Sequence, residues 1–120
     1  MLNKIAVVVI SLMATVATAD VAPDKRHEIN YLLNYIKQSD CTLERNGSQH
    51  KGIEAVRHIQ NKYEYFRNDI ETTEDFIKYS ATKSTMSGKY YMVYCPGKAP
   101  QKTSKWLLKT LELYRFQRRF

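Results

Sequence analysis

His50, Glu54 and His58 stand four residues apart and carry the most suggestive chemistry in the chain. Two imidazoles and a carboxylate invite a metal-site reading. The set falls short of one. It lacks a full structural zinc complement, and no outer partners that would orient the ligands are visible. His50 also precedes an expected helix, so the three need not share a face. His58 by itself reads better as a hydrogen-bonded, half-buried residue than as a ligand or base. Arg45 and Asn46 lie just upstream, and with His50, Glu54 and His58 they form the candidate functional polar cluster. A small hydrolase built on these groups requires them to converge in a cleft. The sequence has no Gly-rich phosphate loop, G-x-S-x-G elbow or zincin motif. No catalytic residue, metal ligand or cofactor is assigned on this basis.

A second set of charges sits at the C-terminus. Arg115, Arg118 and Arg119 are interleaved with Phe116 and Phe120. Cations are favourable at a helix end on dipole grounds alone. The sharper reading is a contact with an anionic polymer or lipid surface. The third reactive pair is Cys41 and Cys95, the two cysteines of the chain. A pair in an oxidising compartment reads as a disulfide. The alternative, a free catalytic thiol, needs one cysteine reduced with a base nearby.

The compartment follows from the start of the chain. Lys4 gives a positive region, residues 5–16 are an apolar stretch, and Ala17-Thr18-Ala19 is an A-x-A site before Asp20. Residues 1–19 are therefore expected to be a secretory signal peptide cleaved between Ala19 and Asp20. An uncleaved anchor is the rival, but the apolar run is short for a bilayer span. Removing it takes one lysine and no acid from the 120 residues and leaves 101 with a net charge of +6. That length fits one domain, residues 20–120, with no transmembrane segment. The basic balance favours anionic partners. Tyrosine-rich basic faces also bind nucleic acid, but export argues against that partner.

The elements that position these groups centre on Tyr90-Tyr91-Met92-Val93-Tyr94-Cys95. Aromatic and branched side chains suit a strand. Period two puts Tyr90, Met92 and Tyr94 on one face and Tyr91, Val93 and Cys95 on the other. Both faces are largely apolar, which predicts a central or covered strand ended by Pro96-Gly97. Asn46-Gly47 between strand-like runs predicts a two-residue hairpin. Its register pairs Arg45 with Ser48 and Leu43 with His50, and sets Leu43, Arg45 and His50 on one face.

Four helices are expected. The first covers residues 24–39, with Ile29, Leu32, Leu33 and Ile36 as its stripe. The second covers residues 51–68, with Ile53, Val56, Ile59, Tyr63 and Phe66 inward and an incomplete cap at Lys51. The third opens on a Thr72–Asp75 capping box. The last is capped by Thr103 or Ser104 and buries Trp106, Leu107, Leu111 and Tyr114. The loop 98–102 precedes it. The fold class is α+β: about four helices on a small, mainly antiparallel sheet made of the hairpin and the aromatic strand.

With these segments placed, the chain resembles the YfeK-like family of small exported bacterial proteins. The resemblance rests on Arg45-Asn46-Gly47, on Glu54-Ala55-Val56 with His58 and Lys62, on Thr73-Glu74-Asp75-Phe76-Ile77, on Ser87-Gly88-Lys89-Tyr90 and on Pro96-Gly97. It implies a bacterial envelope protein and carries no activity. It also implies that the fold need not depend on the cysteine pair, which some members lack. Together these features point to a periplasmic, non-enzymatic binding or accessory module for an envelope component or partner protein. A small envelope hydrolase is the alternative.

Overall fold

The computed structural model describes residues 21–119. The expected signal segment, its cleavage site at Ala19 and Asp20, and Phe120 lie outside the described residues. Four helices and a four-stranded antiparallel sheet make an α+β arrangement, with the second and fourth helices packed against the sheet and the first and third against the other helices.

Helix α1, Pro23–Gln38, starts with proline in its first turn, where the missing N–H costs nothing. It buries Ile29, Leu32, Leu33 and Ile36, the expected stripe. The hairpin follows as β1, Thr42–Arg45, and β2, Ser48–Lys51. Asn46 and Gly47 take positive φ, 51° and 79°, as a type I′ turn requires. The register is the expected one, Arg45 opposite Ser48 and Leu43 opposite His50.

Helix α2, Gly52–Tyr65, begins directly after β2. Its inward face is Gly52, Ala55, Val56, Ile59 and Tyr63. Ile53 was expected in that stripe but is 62 % exposed. It lies about 100° around the helix from Gly52, outside the buried arc. The helix also stops earlier than expected. A short 3-10 turn, Arg67–Asp69, redirects the chain and lets Ile70 into the core.

Helix α3, Thr73–Ser80, has both halves of its capping box: Asp75 N–H donates to the Thr72 hydroxyl, and the Asp75 carboxylate accepts from Thr72 N–H. The aromatic strand is β3, Met92–Tyr94, shorter than expected because Tyr90 bridges to Lys83 instead. β3 is central, between β1 and a fourth strand, β4, Gln101–Lys102. Only one of its faces is fully covered. Tyr91 and Val93 are buried, whereas Met92 and Tyr94 are half-exposed and Tyr90 is exposed. The loop expected at 98–102 thus ends as an edge strand, where the preceding Pro100 leaves no ladder position unfilled.

Helix α4, Thr103–Gln117, follows β4 without a side-chain cap. Thr103 and Ser104 were expected as caps. Instead Lys102 precedes the helix while still in the sheet, and Thr103 is its first residue, fully buried, with its N–H donating to Tyr91 O. A disulfide joins Cys41 to Cys95, tying the entry of β1 to the exit of β3.

Candidate functional site

The hairpin supplies the first half of the site. The paired positions Leu43/His50 and Arg45/Ser48 share the face turned toward α2. With no residue between Lys51 at the end of β2 and Gly52 at the start of α2, the helix folds straight back over that face. The turn is tight: a Cβ on Gly52 would stand 2.5 Å from the carbonyl oxygen of Ile36 and 2.9 Å from that of Lys37. Glycine is needed there for space, since α1 ends against it.

This joint gathers groups that the sequence left apart. His50 Nδ1 lies 3.0 Å from the Glu54 carboxylate, and the His50 and His58 rings meet edge-on at 5.0 Å. Arg45 Nη1 lies 3.1 Å from His58 Nδ1. A guanidinium can only donate, so His58 accepts at Nδ1 and its own proton sits on Nε2. Burial holds the His58 pKa below its usual value, and the neighbouring Arg45 charge adds to that. The hydrogen bond from His50 is the main cause that lowers the Glu54 carboxyl. Arg45, His50, Glu54 and His58 therefore converge. A metal is disfavoured by this arrangement: the Arg45 cation occupies one His58 nitrogen, and Glu54 is taken by His50. Among the described residues no group of three metal-ligating side chains is set to hold an ion.

Asn46 turns the other way. Its Nδ2 donates to Ser84 Oγ at 3.2 Å, and its Oδ1 accepts from the Ser87 hydroxyl. It braces the turn over residues 84–89, which is closed by Ser84 N–H to Lys89 O and Gly88 N–H to Ser84 O, both 2.9 Å. Across Arg45 from the histidines stands Lys62. It donates to Lys83 O at 2.7 Å and to the Tyr91 hydroxyl at 3.2 Å. Lys62 and Tyr91 belong to the site but were not in the expected cluster. Lys62 follows His58 by four residues, which places it on the same side of α2, so helical spacing was a usable signal.

Arg45 divides two concavities. The notch beside the histidines has room for about 20 Å³, one water's worth. The groove on the Lys62 side has about 290 Å³, near the lower end of small-ligand sites. Neither Arg45 nor Lys62 is paired with a carboxylate among the described residues. Arg45 Nε is moreover buried without a hydrogen-bond partner, a state that costs on the order of 1–3 kcal/mol. No Ser, Thr or Cys among the described residues donates to either imidazole, so the cluster contains cations and a His–Glu pair but no paired nucleophile.

Arg115, Arg118 and Arg119 line one open concavity of about 270 Å³ beside α1, but their charges are not equally free. Arg115 donates from Nε to Glu28 at 2.6 Å and from Nη2 to Glu28 at 3.0 Å and Glu74 at 2.6 Å. Its charge is thus met by two acids, and it clamps α4 to α1 and α3 rather than standing ready for an outside anion. Arg118 packs over Tyr114 and donates to its hydroxyl. Arg119 borders a wider, open concavity of about 670 Å³ along α4. That space is larger than the groove by Arg45, and of its three cations, Lys109, Arg115 and Arg119, Arg115 is already met by Glu28 and Glu74.

Residues 23–115 match a family described as Family of unknown function (DUF5329). The chain belongs to this family. It is 39% identical over 92 residues to the Uncharacterized protein YfeK of Salmonella typhimurium, covering 75% of this chain and 77% of that protein. No solved structure matches the chain. Of the residues that carry the resemblance, Arg45, Glu54, His58 and Lys62 line the site, and Asn46 and Ser87 brace its turn.

Proposed function

We propose that this protein is an exported, periplasmic binding module, without enzymatic activity, that takes an anionic group of an envelope component or partner protein at Arg45 and Lys62. One observation carries the reading. Both cations are held in place by neutral partners, His58 for Arg45 and Lys83 O with Tyr91 for Lys62, and no acid among the described residues pairs with either. Arg115, by contrast, is met by two acids. A cation kept fixed and uncompensated is stabilised further by an arriving anion. Export is supported by the pattern of residues 1–19 and is compatible with the Cys41–Cys95 bond. No helix among the described residues is long and apolar enough to cross a membrane.

The test is a crosslinking pull-down from bacterial envelope extract at low and moderate salt, with Arg45→Gln and Lys62→Gln alongside. A component retained at moderate salt and lost with either substitution supports the reading. Retention unchanged by both substitutions, or no retention at all, defeats it.

A second reading has its own observation. The His50–Glu54 pair, with Arg45 near, resembles an oriented base beside an anion stabiliser. Turnover of an envelope polymer by the purified protein, abolished by His50→Ala and by His58→Ala, would replace the binding module with a hydrolase.

A further inference from the structure

We infer that the groove between α2 and the turn at residues 84–89 docks a peptide segment of a partner protein, one in which a carboxylate stands next to an apolar side chain. The inference rests on the binding reading above and names the partner's chemistry.

The groove has a polar floor and apolar rims. Arg45, Lys62 and Tyr91 form the floor, and Tyr65 and Met86 rise on either side. Tyr65 is 82 % exposed and Met86 94 %. Leaving two such side chains in water forgoes their burial, about 25 cal/mol for each Å². Met86 is not there through slackness of the chain. Its turn is closed by two backbone hydrogen bonds and braced by Asn46 across the hairpin tip. The fold therefore holds an adaptable thioether and an amphipathic ring on either side of two cations that no acid among the described residues pairs with. Such residues are enriched in protein interfaces, and methionine accommodates varied apolar partners.

The donors that remain limit the anion. Lys62 Nζ has three hydrogens, and two are placed on Lys83 O and the Tyr91 hydroxyl. One Arg45 hydrogen is spent on His58, and Nε is buried. Three Arg45 N–H groups and one on Lys62 remain, enough to give two hydrogen bonds to each oxygen of one carboxylate. Charge complementarity fixes the acid, and the rims fix an apolar neighbour. A membrane surface would call for a broad basic face rather than a groove of about 290 Å³.

The experiment is selection from a displayed random heptapeptide library on the purified protein, followed by fluorescence anisotropy with the best peptide. Vesicles of phosphatidylglycerol are titrated in parallel. Selected peptides are expected to carry Asp or Glu beside Leu, Ile, Met or Phe. Changing the acid to its amide should weaken binding at least tenfold, the scale of one charge-assisted hydrogen bond. Met86→Ala should weaken it about fivefold, and its exposure means the fold is not at stake. Selection of peptides without an acid, an amide that binds as well as the acid, or binding unchanged in both Met86→Ala and Tyr65→Ala overturns the inference. So does vesicle binding that depends on Arg45 with no peptide selected, although that result leaves the anion-binding reading standing. If neither peptide nor vesicle binds, the inference falls, and the envelope pull-down alone decides the anion-binding reading.

Discussion

Replacing Gly52 with alanine sets two effects against each other, and the structure says which is larger. Glycine to alanine in a helix ordinarily stabilises by up to about 1 kcal/mol, through helix propensity and a less disordered unfolded chain. Here the added Cβ would meet the Ile36 carbonyl oxygen at 2.5 Å, the Lys37 carbonyl oxygen at 2.9 Å and Lys37 Cα at 3.1 Å. All three atoms are backbone, so no side chain can swing aside. The last turn of α1 cannot retreat freely either, because Cys41 just beyond it is bonded to Cys95. Overpacking of this kind costs about 1–3 kcal/mol and at times more, so after that gain the expected net loss is about 1–2 kcal/mol. For a domain near 100 residues that lowers Tm by roughly 4–16 °C. Urea unfolding and a thermal melt monitored by circular dichroism read it directly. The strain should also move α2 relative to the hairpin, and with it the 3.1 Å contact between Arg45 and His58, which the His58 imidazole NMR signals report. A Gly52→Ala protein as stable as the parent or more so would refute the argument. It would mean that the approach of α1 to the β2–α2 joint is not what fixes the site.

Three further outcomes are expected. Replacing Cys41 and Cys95 together by alanine removes a cross-link between residues 54 apart, worth about 4 kcal/mol in the chain-entropy model; urea unfolding that shows a loss under about 1 kcal/mol would refute that weight. His58 has a folded pKa below its unfolded value, so its contribution is fully present above about pH 6.5 and is lost as pH falls through the folded pKa. An NMR titration should find that Arg45→Gln raises the His58 pKa yet leaves it under 6.5, because burial is the larger cause. Glu28→Gln should destabilise more than Glu74→Gln in the same unfolding assay, by about 1.5–3 kcal/mol, because Glu28 is better buried and accepts two Arg115 hydrogens plus the Thr73 hydroxyl. Its carboxyl is held below the usual range chiefly by Arg115, so that stability is present above about pH 4.5 and falls away as acid protonates it.

The parts of the fold that short-range chemistry decides were legible. The Asn46-Gly47 turn needs two positive φ values, and few other pairs supply them. The Thr72–Asp75 box is closed within four residues, and the α1 stripe repeats without interruption. What stayed hidden depends on distant contacts. Gln101 and Lys102 carry no strand pattern; they pair because β3 presents a free edge, and Tyr91 O then receives the Thr103 N–H. Ile53 fits a helical stripe by spacing, but the centre of the buried arc is set by Gly52 against α1, which apolarity counts cannot register because glycine scores as nothing.

The same glycine explains how far the candidate site could be read. Period two places Arg45 and His50 on one hairpin face, and helical spacing places Glu54, His58 and Lys62 on one side of α2. Those two facts are local. Whether the faces meet depends on the joint between them, and a strand that passes without a linker into a helix lying this close to α1 needs a residue with no Cβ at position 52. Once the joint closes, His50 is carried onto the helix it precedes and reaches Glu54 at 3.0 Å. Arg45 is then trapped between α2 and the turn that Asn46 holds. The two neighbours in sequence thus act in different ways: Arg45 offers the charge, and Asn46 shapes the groove on its far side. Asn46→Gly keeps the positive φ of the turn, so it should loosen Met86 and Ser84 while leaving the Arg45–His58 contact in place, whereas Gly52→Ala should do the reverse, and the His58 imidazole and Met86 methyl NMR signals distinguish the two.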